Sequence, residues 1–85
     1  MSKVRIFTTP ICPYCKRAKS LLAKKHVAYE EIDVYNEPTL RDAMTKQSGG
    51  ARTVPQIFIG DLHVGGCDDL FALDAAGKLD PLLAQ

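Results

Sequence analysis

Two cysteines three positions apart, in the segment Cys12-Pro13-Tyr14-Cys15, constrain the fold of this 85-residue chain more than any other feature. The preceding residues, Lys3 to Thr8, predict a strand, and the following residues, about Pro13 to Lys25, predict a helix. Proline is favoured at the first helical position, because its missing N–H would have no intrahelical partner there. Residues i and i+3 share a helix face, so we expect both thiols at one strand-to-helix turn, close enough to form a disulfide.

The helix start predicts how the two thiols differ. Unpaired N–H groups and the helix dipole favour negative charge there, so we expect Cys12 to be the thiolate nucleophile. Lys16 and Lys19 can add positive charge nearby. Cys15 falls on the apolar face of the helix, whereas Cys12 is placed at an exposed tip. We therefore expect Cys15 to be the less exposed, resolving thiol.

The rest of the chain alternates predicted strands and helices. In order, we predict a strand at Ala28–Val34, a helix capped by Asn36 and ended by Gly49-Gly50, a hairpin of Gln56–Ile59 and Leu62–Val64, a third helix at about Asp68–Ala76 and a last turn from Asp80-Pro81. The predicted inner face of the second helix consists of Leu40, Ala43, Met44 and Gln47. The order β-α-β-α-β-β-α predicts an α/β fold with a four-stranded mixed sheet and helices on both faces.

Length and charge exclude several classes of function. Eighty-five residues predict a single domain over residues 1–85. A net charge of +1 gives no strong field for nucleic acid or an anionic membrane. No apolar run approaches a transmembrane helix, and the N-terminus lacks a secretory pattern, so we expect a cytoplasmic protein. In such a reducing compartment, three cysteines indicate redox activity or metal binding rather than a disulfide framework.

Three segments together resemble one family. They are Cys12-Pro13-Tyr14-Cys15, Thr53-Val54-Pro55 and Gly65-Gly66-Cys67-Asp68-Asp69. In these segments, which occur in the right order over nearly the whole chain, the sequence resembles a dithiol glutaredoxin with a thioredoxin-like fold. The resemblance implies a monomeric glutathione-dependent thiol–disulfide oxidoreductase. It would reduce protein disulfides and glutathione mixed disulfides through Cys12 and Cys15.

The resemblance also implies a set of partners. Glutathione would be a co-substrate, with no tightly bound cofactor, and glutathione reductase would supply electrons to it indirectly. Disulfide-containing or glutathionylated proteins would be the substrates. The net charge of +1 predicts neither a nucleic-acid nor a membrane partner.

A glutathione site is implied beside the cysteines. The resemblance predicts a cis Val54-Pro55 bond that presents the backbone of Val54 to a bound peptide, with Thr53 on the same surface. The helix start near Asp68 would hold the γ-glutamyl group. Backbone N–H groups would bind its carboxylate, and the Asp68 side chain would bind its ammonium. The implied glutathione-binding residues are Tyr14, Thr53, Val54, Cys67 and Asp68.

One residue departs from the family pattern. Many glutaredoxins have a lysine three positions before the first cysteine, which meets the glycyl carboxylate of glutathione, whereas this chain has Thr9. Arg41, Lys46 or Arg52 can supply the charge instead.

Alternatives remain open at this point. Cys12, Cys15, His63 and Cys67 have the ligand types of a zinc site. Some glutaredoxins bridge two chains with an iron–sulfur cluster, and a glutaredoxin-like protein can receive electrons from thioredoxin reductase. A purely structural Cys12–Cys15 disulfide is a further alternative. His26 and His63 have no neighbouring acid in sequence and are interpreted as structural.

Overall fold

The computed structural model describes residues 3–85, which form alternating strands and helices in the predicted order. The elements are β1 (Val4–Thr8), α1 (Pro13–Lys24), β2 (Tyr29–Asp33), α2 (Pro38–Gln47), β3 (Gln56–Ile59), β4 (Leu62–Gly65), α3 (Cys67–Ala75) and α4 (Leu79–Ala84). The predicted last turn is the short helix α4, which buries Leu79 and Leu83. Within residues 3–85 no helix has the length and apolar character needed to cross a membrane.

The four strands form one mixed sheet in the order β2-β1-β3-β4. β1 runs parallel to β2 and antiparallel to β3, and β3 and β4 form an antiparallel hairpin. The predicted mixed, thioredoxin-like sheet is therefore confirmed. Because β1 and β3 are central and antiparallel, the end of β1 and the start of β3 lie at the same edge, where Phe7 pairs with Gln56.

β1 separates two apolar clusters by the alternation of its side chains. Val4 and Ile6 pack with α1, α3 and α4, with Leu22 and Leu70 among the fully buried residues of that larger cluster. Phe7 faces the other way, where it packs with Val34, Met44 and Phe58. Burial of each such aliphatic or aromatic side chain contributes about 1.5–3 kcal/mol to the free energy of folding. Both faces of β1 are thus covered, which fixes the strand that leads into Cys12.

The start of α2 differs from the prediction. Asn36 is not the N-cap, since the helix begins at Pro38 and Glu37 occupies the N-cap position with a φ of −126° and a ψ of 78°. Helical angles are disfavoured for the residue before a proline, here Glu37, which moves the helix start past Asn36. Asn36 itself adopts a φ of 55°, a left-handed conformation that asparagine tolerates.

The predicted inner face of α2 is only partly correct. Met44 is fully buried, but Leu40 is 38% exposed and Gln47 is also exposed. The side chain of Gln47 accepts a hydrogen bond from Arg5 Nη1 at 2.8 Å instead of packing inward. The apolar cluster under α2 is small, and Met44 is the only residue of the helix that belongs to it.

Candidate active site

Cys12 and Cys15 form a disulfide at the start of α1, with their Cα atoms 5.2 Å apart. Cys12 is the N-cap residue of the helix, and Pro13 occupies the first turn as predicted. The backbone N–H of Cys15 donates a hydrogen bond to Cys12 Sγ at 3.1 Å. The carbonyl oxygen of Val54 lies 3.9 Å from the same sulfur. Cys12 Sγ therefore sits between a helix N-terminus and the loop that precedes β3.

The relative exposure of the two cysteines follows the predicted order, but the exposed tip is a different residue. Cys12 is 7% exposed and Cys15 is 1% exposed, so the expectation that Cys12 itself is exposed is wrong. The loop at Val54, 42 residues away in sequence, lies against the sulfur. The exposed tip of this turn is Ile11, at 93%.

The loop before β3 brings peptide backbone next to the disulfide. The Val54-Pro55 bond is cis, as the resemblance predicted. Within residues 3–85, the N–H of Val54 takes part in no backbone hydrogen bond. Gln56 Nε2 donates to the carbonyl of Thr53 at 3.0 Å, which holds the loop from the β3 side. Val54 thus has a free backbone donor that an extended peptide can use.

Arg41 and Ser48 hold the same loop from α2. Arg41 Nη1 donates to the carbonyl of Arg52 at 2.7 Å. Ser48 Oγ lies 3.2 Å from the carbonyl of Ala51 and accepts a hydrogen bond from its N–H at 3.0 Å. These bonds satisfy loop backbone groups that have no ladder partner.

The start of α3 is stabilised by a side-chain cap. Asp69 Oδ2 accepts a hydrogen bond from the N–H of Gly66 at 2.9 Å. Gly65 has a φ of +115°, and a Cβ at this position would collide with the Asp69 carboxylate. Asp68 is exposed and has no hydrogen-bond or ion-pair partner within residues 3–85. Asp69 therefore caps the helix, whereas Asp68 faces solvent.

These segments enclose one surface groove of about 210 Å³ next to Cys12. It is lined by Tyr14, Thr53, Val54, Pro55, Gly66, Cys67, Asp68 and Asp69. All five residues predicted to bind glutathione are among them. Pro55, Gly66 and Asp69 also line the groove but were not among the residues predicted to bind glutathione. Asp69 lies three residues after the N-cap Gly66, the spacing at which an acidic side chain accepts a hydrogen bond from the N-cap N–H, and this spacing could have identified it.

Few charged side chains affect the Cys67 thiol, which lines the groove. Burial raises the pKa of the Cys67 thiol, Asp68 raises it further, and Arg17 acts in the opposite direction. The guanidinium of Arg17 lies over the ring of Tyr14, 5.9 Å from its centre. Lys19, predicted to add charge near Cys12, pairs with Glu31 at 3.0 Å.

The residues considered for the glycyl carboxylate do not line this groove. Arg41 and Arg52 line a separate cavity together with Tyr35. Lys46 is exposed on α2, and Thr9 lines another cavity, described below.

The histidines have local structural surroundings. His63 Nε2 lies 2.7 Å from Gln56 Oε1, and its ring stacks near Phe58. His26 has a φ of 59° in the turn after α1. Within residues 3–85 no three His, Cys, Asp or Glu side chains are arranged to hold a metal ion.

Comparisons with known proteins give one family. The glutaredoxin family model matches residues 4–64. The chain is 54% identical over 83 residues to Glutaredoxin 3 of Escherichia coli strain K12, covering 98% of this chain and 99% of that protein. The solution structure of glutaredoxin from Brucella melitensis is 58% identical with a TM-score of 0.85, covering 98% of this chain and 89% of the other. A crystal structure of a buckwheat glutaredoxin–glutathione complex is 34% identical with a TM-score of 0.89, covering 98% and 77%.

Proposed function

This chain belongs to the glutaredoxin family of glutathione-dependent thiol–disulfide oxidoreductases, and from that premise we propose that Cys12 and Cys15 carry its catalysis and that the adjacent groove binds glutathione. The observation that carries the proposal is the convergence of the helix start, the Val54 backbone and Asp68 around Cys12. In this proposal the redox pair lies next to the surface that binds glutathione.

Cys12 acts first in the proposed reaction. Its thiolate attacks one sulfur of a protein disulfide, forms a mixed disulfide and expels the other substrate sulfur as a thiolate, which takes up a proton. The Cys15 thiol loses its proton and attacks Cys12 Sγ, which releases the first substrate sulfur as a thiol and leaves Cys12–Cys15 oxidised. Two electrons have then passed to the substrate.

Glutathione restores the dithiol in two steps. One glutathione thiolate attacks Cys12 Sγ and frees Cys15, and a second attacks the glutathione sulfur of the mixed disulfide, releasing oxidised glutathione and the Cys12 thiolate. With a glutathionylated substrate, Cys12 takes the glutathione directly and Cys15 is dispensable.

The groove supports specific roles for its lining residues. Val54 N–H and C=O would pair with the cysteinyl backbone of glutathione, as an added strand does, with Thr53 alongside. The α3 start would bind the γ-glutamyl carboxylate through backbone N–H groups at Cys67, and Asp68 would bind the ammonium. Tyr14, 55% exposed, would border the sulfur.

The proposal extends to the setting of the enzyme. We propose that residues 1–85 form one glutaredoxin domain that acts as a monomer on disulfide-containing or glutathionylated proteins. A dithiol enzyme driven by glutathione and glutathione reductase requires a reducing compartment, so its proposed location is the cytoplasm.

A steady-state assay tests the proposal. With glutathione, glutathione reductase, NADPH and the mixed disulfide of glutathione and 2-mercaptoethanol, we expect saturable consumption of NADPH. The same substrate with thioredoxin reductase as the only electron source should give little turnover. Turnover with thioredoxin reductase alone, and none with glutathione, would contradict glutathione as the reductant.

A further inference from the structure

A second surface lies beside Cys12 and shares no residue with the glutathione groove. It surrounds a cavity of about 360 Å³ lined by Thr9, Pro10, Ile11 and Tyr35, which we term the Ile11–Tyr35 surface. Ile11 is 93% exposed and Tyr35 is 59% exposed. Large apolar side chains exposed together are uncommon on a protein surface and often mark a place of contact.

Backbone hydrogen bonds hold the two halves of this surface together. The N–H of Val34 donates to the carbonyl of Thr8 at 2.9 Å, which brings the segment after β2 against the loop before Cys12. The N–H of Tyr35 donates to Asp33 Oδ1 at 2.8 Å. Tyr35 and Ile11 are therefore presented by anchored segments on either side of the cavity.

The lining of this surface carries no charge, which sets the chemistry of its occupant. The glutathione groove contains Asp68 and Asp69, and three other cavities on the described surface each include at least one charged side chain. Thr9 contributes an uncharged side chain to this lining, so no charged group has to lose its water when an apolar side chain binds. An uncharged apolar side chain is the group that matches this lining.

We propose that the Ile11–Tyr35 surface binds an apolar side chain next to the reactive cysteine of a protein disulfide substrate. The proposal rests on the proposed function, because it requires Cys12 to form a mixed disulfide with that cysteine. Bridged cysteines have Cα atoms roughly 4.4–6.8 Å apart. Neighbouring Cα atoms in a chain are about 3.8 Å apart, so the residue that flanks the substrate cysteine lies within reach of Ile11.

Glutathione has no apolar side chain for this surface. Its cysteine is flanked by a glycine without a side chain and by a γ-glutamyl group that is charged, so it carries no apolar group for the cavity. We therefore expect the surface to discriminate among protein substrates by the side chain that flanks their cysteine. Its contribution is separable from the redox chemistry by the choice of substrate.

The test compares two peptides that are each closed by one disulfide and differ only in having leucine or serine after each cysteine. The mixed disulfide of glutathione and 2-mercaptoethanol is the third substrate. Wild-type protein should reduce the leucine peptide with a kcat/KM about tenfold higher, about 1.4 kcal/mol, as for a partly buried aliphatic side chain. Ile11→Ser should remove that difference and leave the small substrate unaffected. Leu62→Ser, which alters a 47% exposed leucine on β4, should retain it.

Three results would overturn the docking proposal. One is an Ile11→Ser protein that keeps the tenfold preference, and another is an equal loss of activity on all three substrates, which would mean that Ile11 acts through Cys12. A wild-type dimer that Ile11→Ser converts to a monomer in sedimentation would assign the surface to a second copy of the chain. Wild-type inactivity with the small mixed disulfide would instead contradict the proposed function.

Discussion

The backbone N–H of Cys15 donates to the Sγ of Cys12, so one half of the redox pair stabilises the other through the main chain. A charge-assisted bond of this kind favours the Cys12 thiolate, and it depends on the helix rather than on the Cys15 side chain. The side chain of Cys15 can therefore be replaced without removing the donor.

Serine substitutions should separate the roles of the two cysteines. Cys12→Ser should abolish reduction of every substrate, because Cys15 is 1% exposed and the Cys67 thiol, which lines the groove, is 4% exposed and has a raised pKa. Cys15→Ser should keep much of the activity on glutathionylated substrates and lose the reduction of protein disulfides. The measurement is the coupled glutathione assay with both substrate types, and an equal loss of both activities in Cys15→Ser would contradict this division.

Removing the carboxylate of Asp68 should affect glutathione binding, whereas removing that of Asp69 should affect stability. Asp68→Ala should raise the KM for glutathione severalfold with little effect on unfolding, since Asp68 has no partner within residues 3–85. Asp69→Ala removes the hydrogen bond to Gly66 N–H and should lower the free energy of unfolding by about 1 kcal/mol. Urea unfolding and the glutathione assay on both variants test this, and a stability loss in Asp68→Ala equal to that in Asp69→Ala would count against it.

Arg41 should affect glutathione binding through the loop it holds. Arg41→Gln removes the charged donor to the Arg52 carbonyl, and a loss of about 1 kcal/mol would raise the KM for glutathione about fivefold with kcat nearly unchanged. Lys46→Gln is the matched control, because it removes a positive charge from the same helix without this bond. An equal rise in KM in both variants would indicate that the overall positive charge of α2, and not the hydrogen bond that holds the loop, affects glutathione binding.

Glu31 should make stability depend on acid pH. Hydrogen bonds from Thr8 and Lys19 hold the pKa of the Glu31 carboxyl below its ordinary value of 4.5. A lowered folded-state pKa gives stability that is present above that ordinary value and is lost as the pH falls through the folded-state value. The side chain is 40% exposed, so solvent screening limits the effect to about 0.5–1 kcal/mol.

Glu31→Gln tests this pH dependence, and Glu30→Gln is its matched control. The first keeps an acceptor for the buried Thr8 hydroxyl and should reduce the difference in unfolding free energy between pH 7 and pH 3. The second changes a carboxylate that pairs with exposed Lys3 at 3.6 Å and should leave that difference nearly unchanged. Denaturant unfolding at the two pH values decides, and an unaltered difference in Glu31→Gln would refute the argument.

The reactivity of the third cysteine should be low. Burial raises the pKa of the Cys67 thiol, and the residue is 4% exposed, so little thiolate is available near neutral pH. In the reduced protein at pH 7, brief iodoacetamide treatment followed by mass spectrometry should find alkylation at Cys12 and little at Cys67. Rapid labelling of Cys67 would show that the groove opens more than its burial indicates.

Local sequence rules predicted most elements and their order. The alternation of β1, the proline at the start of α1 and the β3–β4 turn are encoded in a few adjacent residues, and they appear where expected. The cis Val54-Pro55 bond followed from family resemblance and not from local rules. The five residues predicted to bind glutathione lie around one groove, although their binding role remains a prediction.

The errors came from contacts between distant segments. The burial of Cys12 depends on Val54, and the exposure of Leu40 depends on how little apolar surface lies beneath α2. Helical periodicity cannot predict the burial of Cys12 or the exposure of Leu40, because it describes one helix and not the segments that pack against it. The bond from Arg41 to the Arg52 carbonyl was missed for the same reason, since the Arg41 side chain was interpreted as a solvated charge or a ligand group.

The antiparallel pairing of β1 with β3 has a consequence for any shortened version of the molecule. Both redox thiols belong to the first 15 residues, yet the Val54 carbonyl reaches Cys12 only because Phe7 is paired with Gln56. A fragment that stopped at Gly50 would keep two reactive sulfurs and lose every wall of the groove except Tyr14. Such a fragment would keep the two thiols without the groove, since the groove walls come from the assembled sheet and α3 and not from the four-residue motif.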